Sequence, residues 1–280
     1  MQQRSMTFLI CLGEIMIKNE IPLTGLGMPH AARLARAQEK RVLVVNFLAD
    51  EGWSSKGVIQ ELLGLSYPTT HALLKAMVAE GLLRQKTMFV PGRSGARQVM
   101  LYGITAHGLV AADCMENMRR QPWDAAKTSP LAVPHQLLTQ QMRLKAERLG
   151  WMSWVPARRL IGLGLAKLPD AQAVTLEGMV VGIEIERHLK TPKRYEAVLG
   201  AYIYEIRNHG RWQRIDYICP DAKFAQRIAT SFATLKQLRL EVKGLPSRSA
   251  PVEQAHLDRF RFYAQDAWPS GLFSVARRQA

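Results

Sequence analysis

From Ala31 to Ala49 apolar residues recur at helical spacing, Leu34, Val42, Leu43, Val45 and Leu48 among them, and Gly52 closes the run. Leu34, Val42, Val45 and Leu48, eight and then three residues apart, fall on one face, which predicts an amphipathic helix. Gly57 to Leu63 predicts a short second helix stopped by Gly64. Ser66 is placed to cap a third, where Pro68 is tolerated because first-turn N–H groups have no partner within the helix. Leu73, Leu74, Met77 and Val78 form its inner face and Gly81 ends it, leaving Tyr67, Thr69, Thr70, His71 and Lys75 as its outer positions. Two strand-like runs follow, Leu82 to Val90 and Gln98 to Ile104, on either side of the turn-rich Pro91 to Gly95. Thr105 to Met118 reads as a further helix, which either caps this domain or supplies a dimer seam through Leu109, Val110 and Met115.

The pattern breaks between residues 119 and 134, which hold Pro122, Pro130 and Pro134 and read as a linker. A helix is predicted from His135 to Leu149. Trp151 to Val155 and a Gly-rich stretch come next, then two apolar β runs, Ala173 to Leu176 and Met179 to Arg187, joined by the tight-turn pair Glu177-Gly178. Alternation along the second run puts Val181, Ile183 and Ile185 on one face and Gly182, Glu184 and Glu186 on the other. A helix capped by Thr191 carries the stripe Tyr195, Val198, Leu199, Tyr202, Ile203 and Ile206. A strand over Arg214 to Cys219, a helix over Asp221 to Leu238 and a strand over Leu240 to Lys243 complete the periodic part. The expected organisation is a leader (1–30), a first domain (31–118), the linker (119–134), a second domain (135–243) and a basic tail (244–280).

Charge changes this picture from a pair of folds to a pair of binding surfaces. The 280 residues carry 38 Lys and Arg against 23 Asp and Glu, a formal charge of +15, which implies a polyanionic partner. Residues 1–120 hold 14 basic and 9 acidic side chains and residues 121–280 hold 24 and 14, so the excess is not confined to the first domain. Gly81 to Ala112 has no acid while Arg84, Lys86, Arg93 and Arg97 fall in its hairpin. A second cationic cluster, Arg187, His188, Lys190, Lys193 and Arg194, sits before and within the first turn of a helix. The helix dipole favours anions there, so these cations suit a phosphate. The apolar run Thr7 to Ile17 contains Glu14 and is far short of the ~20 residues that span a bilayer. Cys11, Cys114 and Cys219 show neither disulfide nor zinc spacing. A cytoplasmic protein that binds double-stranded DNA and no membrane is expected.

Helix, helix, helix and two-stranded hairpin is the order of a winged helix-turn-helix, and Leu63 to Leu83 resembles the helix-turn-helix core of that superfamily. The resemblance implies that the third helix enters the major groove and that the wing touches backbone or minor groove. Pro169-Asp170, a spacer of about a dozen residues and Ile183-Glu-Ile-Glu186 resemble the PD-(D/E)xK nuclease superfamily. More narrowly, a winged helix followed by Pro169-Asp170-Ala171 and by Glu184 to Tyr195 resembles the replication-relaxation family, which includes MobC-type plasmid mobilisation relaxases. An α+β winged helix followed by a nuclease-like α/β domain is thus implied. So is a plasmid DNA-nicking protein that acts with other transfer or replication proteins, as a homodimer or alone. Asp170 and Glu184 would bind Mg2+ or Mn2+, with Glu186 and Lys190 assisting catalysis. One departure stands out: Glu186 replaces the superfamily's lysine. The alternative is therefore a replication or transcription regulator with a degenerate nuclease-like domain. An edge strand with a solvated polar face is the plainer reading of Glu184 and Glu186.

Overall fold

The computed structural model describes residues 29–92, 95–112, 120–241 and 246–278. Two compact units are distinguished, residues 1–38 and 39–280. In the first, the described residues from His30 onward are the opening turns of helix α1 (His30–Glu51); the leader lies mostly outside the described residues. All that follows concerns the second unit.

The remainder of α1 buries Val44, Val45, Phe47 and Leu48. A short strand β1 (Trp53–Ser55) leads into α2 (Lys56–Leu63), where the Ser55 hydroxyl accepts from Val58 N and Gly64 closes the helix at φ 61°. Only a residue at ease in the left-handed region ends a helix this way without strain. Helix α3 (Tyr67–Ala79) follows with Pro68 in its first turn and buries Leu74 and Met77. Strands β2 (Leu83–Gly92) and β3 (Gly95–Ile104) form the wing, and β1 pairs with β3 to complete a three-stranded sheet. Helix α4 (Ala106–Ala111) is capped by Thr105; the expected seam residue Met115 lies outside the described residues.

The linker expectation is corrected. Most side chains between residues 120 and 132 are exposed, but the segment is pinned at Trp123, which is buried and donates from its backbone N to Ile104 O at 2.9 Å. Its ring lies so close to Gly103 that a Cβ there would come within 1.9 Å. Prolines broke the periodicity without freeing the segment. Helix α5 (Val133–Arg148) then adds Val133, Leu137 and Leu144 to the same core that α1, α3 and the wing share. The winged helix and the second half of the chain meet on α5.

After α5 come β4 (Met152–Pro156), α6 (Ala157–Leu160), β5 (Ala171–Val174), β6 (Val180–Ile185), α7 (Pro192–His209) and β7 (Arg214–Cys219). Strands β4, β5 and β6 make an antiparallel meander, and β7 runs parallel to β6. Thr191 caps α7 and Gly210 ends it. Helix α8 (Ala222–Ala233) ends five residues earlier than expected, because Gln237–Leu240 forms a strand, β8, paired with β9 (Arg248–Pro251). The strand expected at 240–243 shares only Leu240 with it, and residues 242–243 lie outside the described residues.

The C-terminal tail expectation is corrected as well. After α9 (Gln254–Leu257), β10 (Phe260–Ala264) pairs in parallel with β7, and β11 (Phe273–Ser274) adds to its outer side. The sheet order is β11-β10-β7-β6-β5-β4. Phe260 and Phe262 are fully buried with Tyr217 and Phe232, and Trp268 packs edge-on against Trp151 at 5.1 Å. An aromatic run of this kind suits a strand inside a sheet. Phe262→Ala is therefore expected to cost about 3–5 kcal/mol in urea unfolding of the full chain. A cost under ~0.5 kcal/mol, normal for a surface position, would contradict its place in the core.

Candidate nucleic-acid interface and carboxylate cluster

On α3, Tyr67, Thr69, His71 and Lys75 are exposed together. Thr70 is not: it is fully buried and its hydroxyl donates to Ser66 O at 2.9 Å. Counted among the outer positions, it is instead a turn-closing residue, since it lies four before Leu74 and shares that inward face. The Lys56 ammonium stands 3.4 Å from the Tyr67 ring centre, a cation–π contact that fixes the ring at the start of the helix.

The wing has two unlike faces. Cross-strand partners share a face, so the register sets Gln85 with Tyr102, Thr87 with Met100 and Phe89 with Gln98 on one side. Arg84 with Gly103, Lys86 with Leu101, Met88 with Val99 and Val90 with Arg97 lie on the other. Met88 and Val90 are buried in one core with Val133, Leu137 and Leu144 of α5. Arg84, Lys86 and Arg97 thus rise from the face that α5 and Trp123 cover, with their side chains exposed at its margin. Arg93 lies outside the described residues.

The acids expected on β5 and β6 gather at one end of the larger sheet. Asp170 precedes β5; its Oδ2 accepts from Ile185 N at 2.7 Å and its Oδ1 pairs with His135 Nε2 of α5 at 3.0 Å. Glu184 is buried on β6, which is an inner strand between β5 and β7 rather than an edge. One of its oxygens, Oε1, takes both the Lys167 ammonium and the Tyr202 hydroxyl of α7. Glu186 is buried too and pairs with Lys190. The solvated polar face of the plainer reading is therefore absent from this strand.

Burial raises the Glu184 carboxyl above its ordinary value, against the pull of Lys167, and drives the Tyr202 hydroxyl well above 10.0. Desolvation lowers Lys190. The hydrogen bond to Asp170 raises His135, with desolvation opposing it. Each buried glutamate is thus met by a lysine: Lys190 pairs with Glu186, and Lys167, from the Gly-rich stretch before β5, pairs with Glu184. His135 was visible in the sequence as the opening of a helix, but its contact with Asp170 depends on the fold. Lys193, Arg187 and Arg194 are exposed around the start of α7.

Residues 44–87 match the IclR helix-turn-helix domain. They run from the middle of α1 to the middle of β2, so the three helices and the start of the wing form a winged helix-turn-helix of the DNA-binding kind. No curated protein and no solved structure matches the chain. Among the described residues no helix is long and apolar enough to cross a membrane.

His135 supplies a pH test. Its value in the folded chain lies above the ordinary 6.5, so folded protein holds this proton more tightly than unfolded chain does. The stabilisation is complete below 6.5 and fades as pH rises through the raised value. Wild type is expected to lose stability relative to His135→Gln as pH climbs from below 6.5 through the raised value of His135, read as urea midpoints. Parallel curves for the two proteins would show that the His135–Asp170 contact adds nothing.

Proposed function

We propose that the protein is a DNA-binding regulator of replication or transcription whose second half is a nuclease-like fold used for binding and support rather than for hydrolysis. The helix-turn-helix match supplies the first part. The framework of the second is suggested by its order, α5, β4, β5, β6, α7, β7, with a three-strand meander and one parallel strand. That order is compatible with the PD-(D/E)xK likeness, as is Pro169-Asp170 beside Glu184.

The observation that carries the regulatory reading is the occupancy of the acids. A site for Mg2+ or Mn2+ is built from carboxylate oxygens with lone pairs aimed at one point. Here Lys167 and Tyr202 take Glu184, Lys190 takes Glu186, and His135 and Ile185 N take Asp170. Among the described residues no three His, Cys, Asp or Glu converge in a metal-holding group. In this arrangement the donor set holds its own counter-ions, which supports the regulatory reading. Its own lysines balance the charge that a metal would otherwise neutralise.

A second reading is a metal-dependent nicking protein of the replication-relaxation type, in which Asp170 and Glu184 bind the ion. It is favoured by the placement of both acids at the same end of adjoining strands. A homodimer on a two-fold site, and contacts with replication or transfer proteins, would suit either reading.

Two measurements decide. In fluorescence anisotropy with duplexes selected from a random pool, Lys75→Ala is expected to weaken binding and lower the slope of log affinity against log salt by about 0.9, one phosphate contact. An unchanged affinity and slope would remove Lys75 from the interface. Incubated with Mg2+ or Mn2+, supercoiled plasmid carrying the selected site is expected to stay closed. Nicking that vanishes in Asp170→Ala and in Glu184→Ala would establish the second reading instead.

A further inference from the structure

A cavity of about 660 Å³ opens where the winged helix, α5 and the carboxyl ends of β7 and β10 meet. Glu61 of α2 stands on one side of it; Gln141, Lys145 and Arg148, at steps of four and three, present one face of α5; Gln265 and Asp266 follow β10. Its size and its place, at a junction of the winged helix with the larger sheet and outside the carboxyl ends of parallel strands, are those of small-molecule sites. The charges of the lining are balanced but not all paired. Arg148 donates to Glu61 twice, to Oε1 at 2.9 Å and to the main-chain O at 2.8 Å, so these two neutralise each other. Lys145 instead donates to two main-chain oxygens, Gln265 O at 3.0 Å and Asp266 O at 2.6 Å, and meets no carboxylate among the described residues. An ammonium has three donors, so one is left over. The Asp266 carboxylate and the amides of Gln141 and Gln265 bond to no described side chain or backbone group. Desolvation lowers the Lys145 ammonium from its ordinary value, and Asp266 opposes that shift. The unpaired cation and the unpaired acid are thus neighbours, because Lys145 sits on the carbonyl of the residue that bears the carboxylate.

We propose that this cavity binds a free α-amino acid, its carboxylate on Lys145 and its ammonium on Asp266. A simple anion would face Glu61 and Asp266, and a simple cation would face Lys145 and Arg148. A molecule that bears both charges on one carbon answers the two unpaired groups at once, each through a charge-assisted hydrogen bond. Gln141 and Gln265 are left for its side chain, and two amides select a polar, uncharged one. The buried Met142 and Pro220, just past β7, are the apolar part of the lining, against which an aliphatic stem fits. The site goes beyond the DNA-binding reading and does not depend on it, although Glu61 places α2 of the helix-turn-helix in its wall.

The test is isothermal titration calorimetry of the full chain with each L-amino acid in turn. At least one with a polar, uncharged side chain is expected to bind saturably. Lys145→Met and Asp266→Asn should each weaken that binding about 10-fold or more, as loss of a hydrogen bond to a charged group does. Lys223→Met, at an exposed position of α8, should leave it unchanged. Lys145 also anchors the turn at 265–266, whereas Asp266→Asn removes a carboxylate that bonds to no described residue, so the second variant separates loss of binding from loss of fold. The matching α-hydroxy acid, which lacks the ammonium, should bind wild type as weakly as the amino acid binds Asp266→Asn. No heat from any amino acid at millimolar concentration overturns the proposal. So does binding that survives either substitution intact, or an α-hydroxy acid that binds as tightly as the amino acid.

Discussion

Helix α5 is the seam on which the rest of the molecule depends, and one arginine carries most of its polar load. Arg143 reaches Glu51 at 2.9 Å, Asp50 at 3.3 Å and Glu147 at 2.8 Å. Asp50 is also met by Arg120 and Arg159, each at 3.0 Å. Glu51 is buried at the end of α1, and desolvation raises its carboxyl against the effect of Arg143. A buried ion pair of this kind adds little to stability by itself, but losing one partner strands the other without solvent. It therefore acts as a register: the end of α1 is tolerable only where Arg143 meets it. One turn earlier the fully buried Gln140 accepts from Ser54 Oγ and donates to Trp53 O, both at 2.7 Å. Those bonds hold β1, hence β3 and the wing, against the same helix. The winged helix is thus not tethered to the second half but built onto it.

The same helix links the two candidate surfaces. Its first turn carries His135 to Asp170, while its middle carries Gln140 and Arg143 to the winged helix. Asp170 O also accepts from Ala157 N, next to the α6 residue Arg159 that binds Asp50. The carboxylate end and the seat of the helix-turn-helix are therefore joined through short covalent spans.

Much of the fold was legible because its elements are punctuated locally. Ser55 and Gly64 bracket α2, Thr191 and Gly210 bracket α7, and Glu177-Gly178 turns the hairpin. The failures share a cause: each involved a partner distant along the chain. Leu235 and Leu238 continue an apolar pattern, so the end of α8 was invisible without β9 to pair the segment after it. Prolines at 246, 251 and 269 suggested a tail, although the run Phe260 to Ala264 has the aromatic character of an inner strand and waits only for β7. In the site, Asp170, Glu184 and Glu186 could be found by type and spacing. Lys167 and Tyr202 could not, since neither spacing nor composition says which cation or hydroxyl will face a buried carboxylate.

The wing shows how charge read along a sequence differs from charge arranged in space. An acid-free hairpin with Arg84, Lys86 and Arg97 suggests a cationic plate. Yet strand alternation assigns these side chains to one face, and on that face Met88 and Val90 belong to the core with α5. The long aliphatic stems of Arg and Lys lie along apolar surface while their charged ends reach water. Cations at the margin of a covered face still attract a polyanion over a Debye length of about 8–10 Å, so their pull is retained without their being the point of contact. The uncovered face carries Phe89, Met100, Thr87 and the two glutamines instead. Cationic and uncharged side chains are in this way divided between the two sides of one hairpin, and that division follows from strand alternation, with α5 covering the cationic side.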